Sequence, residues 1–376
     1  MRPPAALPTG NAITRQASAL LLGLTCMLMA ACDSGQPVGS NESDGLAIPN
    51  PANKEADPRR IRLSKQSAQL FAPLPQREVA ENQARVDLGR MLFFDPRLSK
   101  AGDISCNSCH QLTNYGVDNQ PTSAGHEDRR GTRNSPTVYN AALHESQFWD
   151  GRASSLIEQI RIQVLNPAEM AMPSEGFVVA VLATIPGYVE KFQAAFPQGD
   201  PALSFENMAA AIASFEQGLL TPDRFDAFMK GELNALSDPE LNGLETFIEI
   251  GCASCHSGPA LGGNMFRKMG LVEPYPSEDQ GRFAITGNDD DRHVFKVPGL
   301  RNVAKTAPYL HDGSVTRLVD SVHLMARHQL GLELSDADAA SISMFLESLT
   351  GTPDADYIAA PDLPAGNEPM RAPDAS

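Results

Sequence analysis

Positive charge is scarce in this chain. Thirty Lys and Arg stand against 46 Asp and Glu in 376 residues, and the formal net charge is −16. A protein that binds nucleic acid needs basic patches to neutralise phosphates, so this balance argues against that class. Strong acidity instead suits a small basic protein partner drawn in by long-range attraction, or it serves only solubility.

The chain also lacks a hydrophobic run long enough for an ordinary transmembrane helix. Its apolar stretch at residues 17–31 is short for a membrane span and has the length of a signal-peptide core. Small residues precede Cys32, which is typical of a lipoprotein signal. We therefore predict a signal peptide over residues 1–32 with Cys32 as an acylated N-terminus. Plain cleavage near Ala31 and an uncleaved anchor are the alternatives, and all three place the mature protein in the periplasm.

No stretch shows a convincing alternation of apolar and polar residues, the pattern of a half-buried strand. Apolar residues recur instead at helical spacing, so the predicted fold class is all-α, with two cytochrome c-like haem domains packed together and little β structure. The predicted helices span residues 81–94, 154–165, 175–184, 187–196, 205–220, 315–328 and 335–349, and a further helix begins at Ser237 with Pro in its first turn.

Cysteines are few, and their placement excludes a disulfide framework. Of the six, two lie in the leader and the other four form C-x-x-C-H twice. Positions i, i+3 and i+4 share one face of a helical turn, so two thiols can bond the vinyl groups of one porphyrin while the imidazole faces its iron. The residues are Cys106, Cys109 and His110 in the first motif, and Cys252, Cys255 and His256 in the second.

A zinc site is the competing interpretation of two C-x-x-C pairs. Zinc ribbons place their pairs roughly 12–20 residues apart, whereas these pairs lie in different halves of the chain. The sequence therefore predicts two covalently bound c-type haems.

Composition divides the rest of the chain. Residues 33–62, rich in Gly, Pro, Ser, Asn and Asp, are predicted to be a flexible tether. Residues 63–220 form the predicted N-terminal haem domain and residues 221–351 the C-terminal one, with Thr221-Pro222 at the junction. Residues 352–376, dominated by Pro, Asp and Ala, are predicted to be a disordered tail.

Each motif supplies one axial ligand, and the occupant of the sixth position decides the chemistry. A histidine taken alone is more often a core or surface residue than a ligand. The residues by themselves leave open a peroxidase, a passive electron carrier and a protein-modifying enzyme. The distal candidates are several Met together with His126, His144, His293, His311, His323 and His328.

Several short stretches resemble one family. They occur in the order found in the bacterial di-haem cytochrome c peroxidases, whose wider family includes the MauG-type enzymes, and the resemblance covers nearly all of residues 81–351. The stretches are Phe94-Asp95-Pro96-Arg97-Leu98-Ser99, Pro121-Thr122-Ser123, Gly125-His126, Gln147-Phe148-Trp149-Asp150-Gly151-Arg152, Asn166-Pro167-Ala168-Glu169-Met170, Phe295-Lys296-Val297-Pro298, Leu300-Arg301-Asn302-Val303 and Thr306-Ala307-Pro308-Tyr309.

For the first haem, this resemblance implies the peroxidatic role. His126 matches a second axial histidine that leaves on activation and opens an iron site for peroxide. Glu169 and Gln159 match distal-pocket positions. A carboxylate there can move a proton between the two peroxide oxygens, and an amide can donate a hydrogen bond.

For the second haem, the resemblance implies electron transfer, with Met325 as the sixth ligand. Met/His ligation raises the reduction potential, which makes this haem the entry point for electrons. Trp149, the only Trp in the chain, matches a residue between the haems. Asn134 with the carbonyls of Thr306 and Pro308 matches a calcium site.

The predicted function is therefore a cytochrome c peroxidase that takes electrons from a small c-type cytochrome or a blue-copper protein. The family resemblance also implies a homodimer. A MauG-like protein-modifying enzyme and a passive di-haem carrier are the alternatives. MauG-type enzymes have Tyr at the position of Met325, and the predicted helix at 315–328 holds no Tyr, which favours the peroxidase.

Overall fold

A computed structural model describes residues 57–77 and 80–366. The predicted signal peptide, the acylated Cys32, most of the predicted tether and the last ten residues lie outside the described residues. Over the part that is described, no helix is both long and apolar enough to cross a bilayer.

The described chain is mostly helical, which confirms the predicted fold class at that level. Its one sheet pairs two short antiparallel strands, β1 (Phe266–Lys268) and β2 (Val294–Lys296), with Arg267 opposite Phe295. The helices are α1 (Pro58–Leu70), α2 (Gln83–Phe94), α3 (Cys106–Cys109), α4 (Leu156–Leu165), α5 (Glu175–Ala183), α6 (Pro186–Ala195), α7 (Phe205–Glu216), α8 (Arg224–Met229), α9 (Asp238–Glu249), α10 (Phe283–Thr286), α11 (Leu318–Met325) and α12 (Asp336–Ser348).

Local capping explains why the longer helices begin where the sequence predicts. Ser155, Ser174 and Ser204 each accept a hydrogen bond from a backbone N–H in the first turn of α4, α5 and α7. Ser237 and Glu240 form a capping box at α9. These contacts satisfy amide groups that have no partner within the helix.

The buried apolar side chains form two clusters. The first core joins α2, α4, α5, α6 and α7, and its centre includes Phe93, Tyr188 and Phe215. Helices α2 and α7 approach closely at Gly89, where a Cβ would lie 1.9 Å from the Ala211 carbonyl oxygen. Any side chain there would force the two helices apart.

The second core joins α1, α8, α9 and α12, with Phe225, Phe247 and Phe345 at its centre. Helices α9 and α12 also meet at a glycine, since a Cβ on Gly243 would lie 1.9 Å from the Ser341 carbonyl oxygen. Each core is thus built on one pair of helices in close backbone contact.

Each end of the described chain packs against the core that is more distant from it in sequence. Helix α1 precedes the first core in sequence but buries Leu63 in the second. Arg59 pairs with Glu245 at 2.7 Å, and Ser64 Oγ donates to the Phe228 carbonyl. The tether predicted over residues 33–62 therefore extends too far, because α1 already begins at Pro58. Apolar residues are few in α1, and contacts to α8 and α9 hold it together with the burial of Leu63, which is why periodicity missed it.

The segment after residue 351 returns to the first core. Tyr357 stacks on Phe215, with ring centroids 5.1 Å apart, and its hydroxyl donates to the Phe215 carbonyl at 2.7 Å. Arg77 lies over the Tyr357 ring and pairs with Asp354 at 2.8 Å. The prediction of disorder is wrong for residues 352–366, because aromatic and ionic contacts to remote residues hold a composition that looks unstructured.

Candidate haem sites

The first motif forms the short helix α3, and Ser105 and Ser108 close a capping box at its start. The backbone N–H of His110 donates to the Cys106 carbonyl at 2.9 Å, which places thiols and imidazole on one turn. Burial raises the pKa of the Cys109 thiol to about 11 and that of Cys106 further.

The axial candidates of the first site are both buried. His110 and His126 are each 7% exposed, and neither Nδ1 has a hydrogen-bond partner within residues 57–77 and 80–366. Burial lowers the pKa of His110, which keeps its imidazole neutral, the form that binds a metal. Such buried, unpaired nitrogen atoms fit the ligation that the motif predicts.

A loop carries His126 into position. Its backbone N–H donates to the Glu169 carbonyl at 2.8 Å, and its Nε2 lies 3.7 Å from Glu127 Oε1. Glu127 and Asp128 follow with φ of 56° and 58°. The left-handed region is unfavourable for residues with a side chain, so this part of the loop is strained.

A recess of about 80 Å³ adjoins the first motif. Cys106, Cys109 and His110 line it together with Glu169, while His126 lies outside it and its neighbour Gly125 lies inside. Gln159 does not reach the recess, but its side-chain amide donates to Gln163, which does. Sequence reasoning missed Gln163, although it follows Gln159 by one helical turn.

The pKa of Glu169 is raised because the carboxyl is buried. The charge of Arg152 and a 2.8 Å hydrogen bond from Asn166 Nδ2 act in the opposite direction. A carboxyl whose pKa is raised in this way accepts a proton more readily than an exposed one.

A second buried carboxyl, which no sequence motif singles out, lies beside the first haem-attachment motif. Glu216, on α7, is 5% exposed, and its Oε2 has no hydrogen-bond partner in the described chain. Burial raises its pKa to about 8, and its charge acts on Cys106. Nothing in the residue pattern of α7 sets it apart from an ordinary helix-surface glutamate.

The second motif follows α9, and a single 3₁₀ turn carries its cysteines. His256 Nδ1 lies 3.2 Å from the Leu261 carbonyl oxygen, which fixes the ring and leaves Nε2 for a metal. Burial lowers the pKa of His256 and raises that of Cys252 to about 12. The donor set is therefore the one that a c-type haem needs.

A cavity of about 460 Å³ opens beside this motif. Cys252, Cys255, His256 and Met325 all line it, and most other lining residues are apolar. Met325 ends α11 where the helix widens into a π-helical turn over Ala326–Leu330. Such turns are frequent at functional sites, because they change the direction in which side chains point.

Among the described histidines that could compete with Met325, only His311 lines this cavity. His323 faces Asp336 at 3.4 Å, and His328 Nδ1 lies 2.9 Å from the Glu273 carbonyl oxygen. His144 sits against Gly263 and Lys296, outside the cavity lining, and His293 Nδ1 faces the Asp279 carbonyl. His311 does line the cavity, but its ring stacks on Phe295 and its Nε2 faces Ser277 Oγ at 3.0 Å.

Trp149 lies at the wall of the second cavity, on a segment that follows the first motif. Its Nε1 donates to the Asn134 carbonyl at 2.9 Å, and its ring meets His311 edge-on. Its own carbonyl accepts from the Lys296 N–H at 2.7 Å. The indole is thus fixed between elements from both halves of the chain.

The predicted calcium ligands also line this cavity. Asn134, Thr306 and Pro308 all contribute to its wall. Asn134 Nδ2 donates to the carbonyls of Gln120 and Pro121, which turns its amide oxygen the other way. One amide oxygen with two carbonyls is a donor set of the kind that Ca²⁺ prefers. Within the described ranges, no group of three His, Cys, Asp or Glu side chains forms a separate metal cluster.

Known proteins of one family are similar to this chain over most of its length. The model of the family described as di-haem cytochrome c peroxidase matches residues 83–234. The chain is 44% identical to cytochrome c551 peroxidase of Pseudomonas aeruginosa over 319 residues, covering 81% of this chain and 91% of that protein. It is 45% identical to cytochrome c551 peroxidase of Nitrosomonas europaea over 290 residues, covering 76% and 85% respectively.

A solved structure is similar as well. A MauG-like protein associated with microbial copper homeostasis superposes with a TM-score of 0.66 and 28% identity, covering 77% of this chain and 94% of that one.

Proposed function

The chain belongs to the di-haem cytochrome c peroxidase family, and from this premise we propose that it reduces hydrogen peroxide to water with electrons from a small c-type cytochrome or a blue-copper protein. The observation that carries the proposal is the unlikeness of the two sites. A strained loop holds His126 against the backbone of Glu169, whose carboxyl is shielded from solvent, while Met325 lines a largely apolar cavity.

Two haems, bound through the two motifs, supply redox chemistry in which each iron stores one of the two electrons that peroxide needs. Cys106 and Cys109 would hold the first, and Cys252 and Cys255 the second. His110 and His256 would be the proximal ligands. His126 would be the ligand that gives way, since a catalytic metal site needs an open position for its substrate.

Glu169 is the proton-transfer residue in this proposal. Its raised pKa suits it to take a proton from one peroxide oxygen and return it to the other. Its backbone carbonyl already holds the His126 N–H, so the departing ligand and the proton carrier are on adjoining backbone. Gln159 contributes through Gln163, which faces the recess.

Met325 and Trp149 serve electron transfer. Thioether ligation raises the reduction potential of the second haem and makes it the acceptor for the donor protein. Trp149 stands on the wall that separates this cavity from the first motif's segment, where an aromatic ring shortens the path between the sites. We assign calcium to Asn134, Thr306 and Pro308, where it would brace the same wall.

The periplasm is the proposed location, since c-type haem attachment and the leader both point there. A lipid anchor at Cys32 and homodimer formation remain predictions. Metabolic labelling with palmitate tests the first, and absence of label would reject it.

Steady-state oxidation of a reduced c-type cytochrome by peroxide tests the main proposal. We expect turnover after one haem has been reduced. No turnover after that treatment would reject the assignment.

A MauG-like activity on a partner protein is the second candidate, favoured by the similarity to the MauG-like structure. It would call for a tyrosine ligand, and Tyr309 does line the second cavity. Met325 lies in that lining too, on the helix that the resemblance assigns to the ligand, so we favour the peroxidase. A reductive titration followed by absorbance and EPR separates the two, since methionine ligation has its own near-infrared band.

A further inference from the structure

The loop that carries His126 is anchored at one further point. Residues 127–132 are all exposed, and a Cβ on Gly131 would meet nothing within 4 Å. Arg133 follows this exposed stretch, and its side chain lines the recess beside the first motif. Between His126 and Arg133 the contacts are local to the loop, since the Arg129 carbonyl accepts from the Gly125 N–H at 2.8 Å and Arg130 bridges to Ala124. The contacts to remote segments are therefore at His126 and at Arg133.

Arg133 makes three buried or half-buried ionic contacts. Its Nη1 donates to Asp150 Oδ2 at 2.5 Å, and its Nε and Nη2 donate to the two carboxylate oxygens of Asp279 at 2.6 and 2.8 Å. Burial works against the charged form, but the hydrogen bonds to Asp279 and the charge of Asp150 raise the pKa of Arg133. A two-pronged guanidinium–carboxylate pair is strong and directional.

Asp279 belongs to the wall of the second site. Its backbone N–H donates to Ser277 Oγ, which contacts His311 Nε2 at 3.0 Å. His311 stacks on Phe295 at 4.2 Å, and both line the second cavity. A short chain of polar contacts thus runs from the second cavity to the loop that holds His126.

We propose that Arg133 is a positioning residue that keeps His126 on the first haem at rest, and that Asp279 is the means by which the second site releases it. This inference rests on the proposed function, in which His126 is the departing ligand. When the Arg133–Asp279 pair opens, Asp150 and the hydrogen bond from the Asn134 N–H to the His311 carbonyl still hold this end of the loop. The two-pronged contact is lost, however, and the strained residues Glu127 and Asp128 lie between this end and His126. Relief of that strain then favours departure.

The test replaces Arg133 in the full-length protein with both haems bound. In Arg133→Met, we expect the fully oxidised protein to show at least a tenfold larger high-spin fraction at the first haem than the wild type, by EPR and absorbance. Peroxide turnover without prior reduction should rise in parallel. Arg133→Lys keeps the charge but loses the two-pronged geometry and should fall between the two.

Asp279→Asn should act in the same direction with a smaller effect, because Asp150 still holds Arg133. The double variant should match Arg133→Met alone, since that change already removes the Arg133–Asp279 contact that Asp279→Asn weakens. Arg97→Met is the matched control. It breaks an ion pair of similar burial, to Asp95 at 2.6 Å, in the first core and away from the loop. Its spin state should equal that of the wild type.

A low-spin first haem in oxidised Arg133→Met and Asp279→Asn would overturn the inference, as would an equal high-spin rise in Arg97→Met. If Arg133→Met does not accumulate as folded protein, Asp279→Asn alone decides. His126→Gly separates this failure from that of the proposed function. If that variant keeps the wild-type low-spin signal, His126 is not the ligand and the proposed function itself fails.

Discussion

The surroundings of His126 and Met325 differ in nearly every physical respect. His126 sits on an exposed, strained loop whose neighbours are titratable, namely Glu127 and Glu169. Met325 ends a regular helix and faces an apolar cavity. A ligand that must leave belongs on a segment with an alternative conformation, whereas one that must stay belongs on a packed element.

Titratable groups show the same contrast. Two carboxyls with raised pKa values, Glu169 and Glu216, lie at the first motif. Around the second, His256 is held by a backbone carbonyl, and the wall is mainly apolar. The first site is therefore the one where we expect proton transfer, and the following changes are designed to weaken or sharpen the difference between the two sites.

The largest expected effect is on turnover. Glu169→Gln should lower kcat/KM for peroxide by roughly 10²–10⁴-fold, because the proton carrier is lost. Both haem spectra should stay unchanged. In the wild type, kcat should also fall on acidification through the raised pKa of Glu169, since the protonated carboxyl can no longer accept. Glu190→Gln, exposed on α6, is the control, and equal rates in the two variants would remove Glu169 from the mechanism.

The next change makes the second site resemble the first. Met325→His should lower the reduction potential of the second haem by well over the ~59 mV that marks a tenfold change in a one-electron equilibrium. Potentiometric titration measures it. Met344→His, on the exposed face of α12, should leave the potential as it is. An unchanged potential in Met325→His would show that Met325 is not the ligand.

A third change removes a titratable group from the first site. The folded-state pKa of Glu216 is raised to about 8 from 4.5, so the stability associated with its protonated form is complete below pH 4.5 and is lost as pH rises towards 8. Glu216→Gln should abolish this loss and gain on the order of 3 kcal/mol at pH 7. Denaturant unfolding at pH 5 and pH 7 measures it. Glu206→Gln, exposed on the same helix, should keep the wild-type pH dependence, and a matching slope in Glu216→Gln would contradict the prediction.

The smallest expected effect concerns the returning C-terminal segment. Tyr357→Ala should lower the free energy of unfolding by about 2 kcal/mol, through lost stacking on Phe215 and a lost hydrogen bond. Tyr357→Phe should lose only about 1 kcal/mol, since stacking remains. Calorimetry of the two variants tests this. Identical values for both would mean that the ring contributes nothing.

Much of the helical framework could be predicted because its signals are local. Three serines each mark the start of the helix that follows, and the spacing of apolar residues shows how far the helix extends. They are Ser174, Ser204 and Ser237. Helices α1 and α8 escaped prediction because their apolar patterns are weak. Helix α8 is only six residues long, so its capping box of Asp223 and Asp226 is followed by too short an apolar pattern to stand out. Arg301, distant in sequence, pairs with both carboxylates and helps to hold this start in place.

The sites divide in the same way. The haem-attachment residues are a pentapeptide signal, so they could be found from sequence. The positions of three further residues depend on contacts with remote segments, and in the sequence each looks like an ordinary polar surface residue. These residues are Arg133, Gln163 and Glu216. Resemblance to a family found His126, Glu169 and Met325, and the structure brings the last of these to the second motif's cavity.

Because each end of the chain completes the opposite core, the protein cannot be divided at the Thr221-Pro222 junction into two self-sufficient pieces. Thr221 is itself fully buried, between the side chains of Asn140 and Asn302. An upstream fragment would carry α1 with no Glu245 to receive it, and a downstream fragment would carry Tyr357 without its Phe215 platform. The two fragments would have to associate in order to restore both cores. A non-covalent heterodimer is therefore the smallest unit that could substitute for the intact chain.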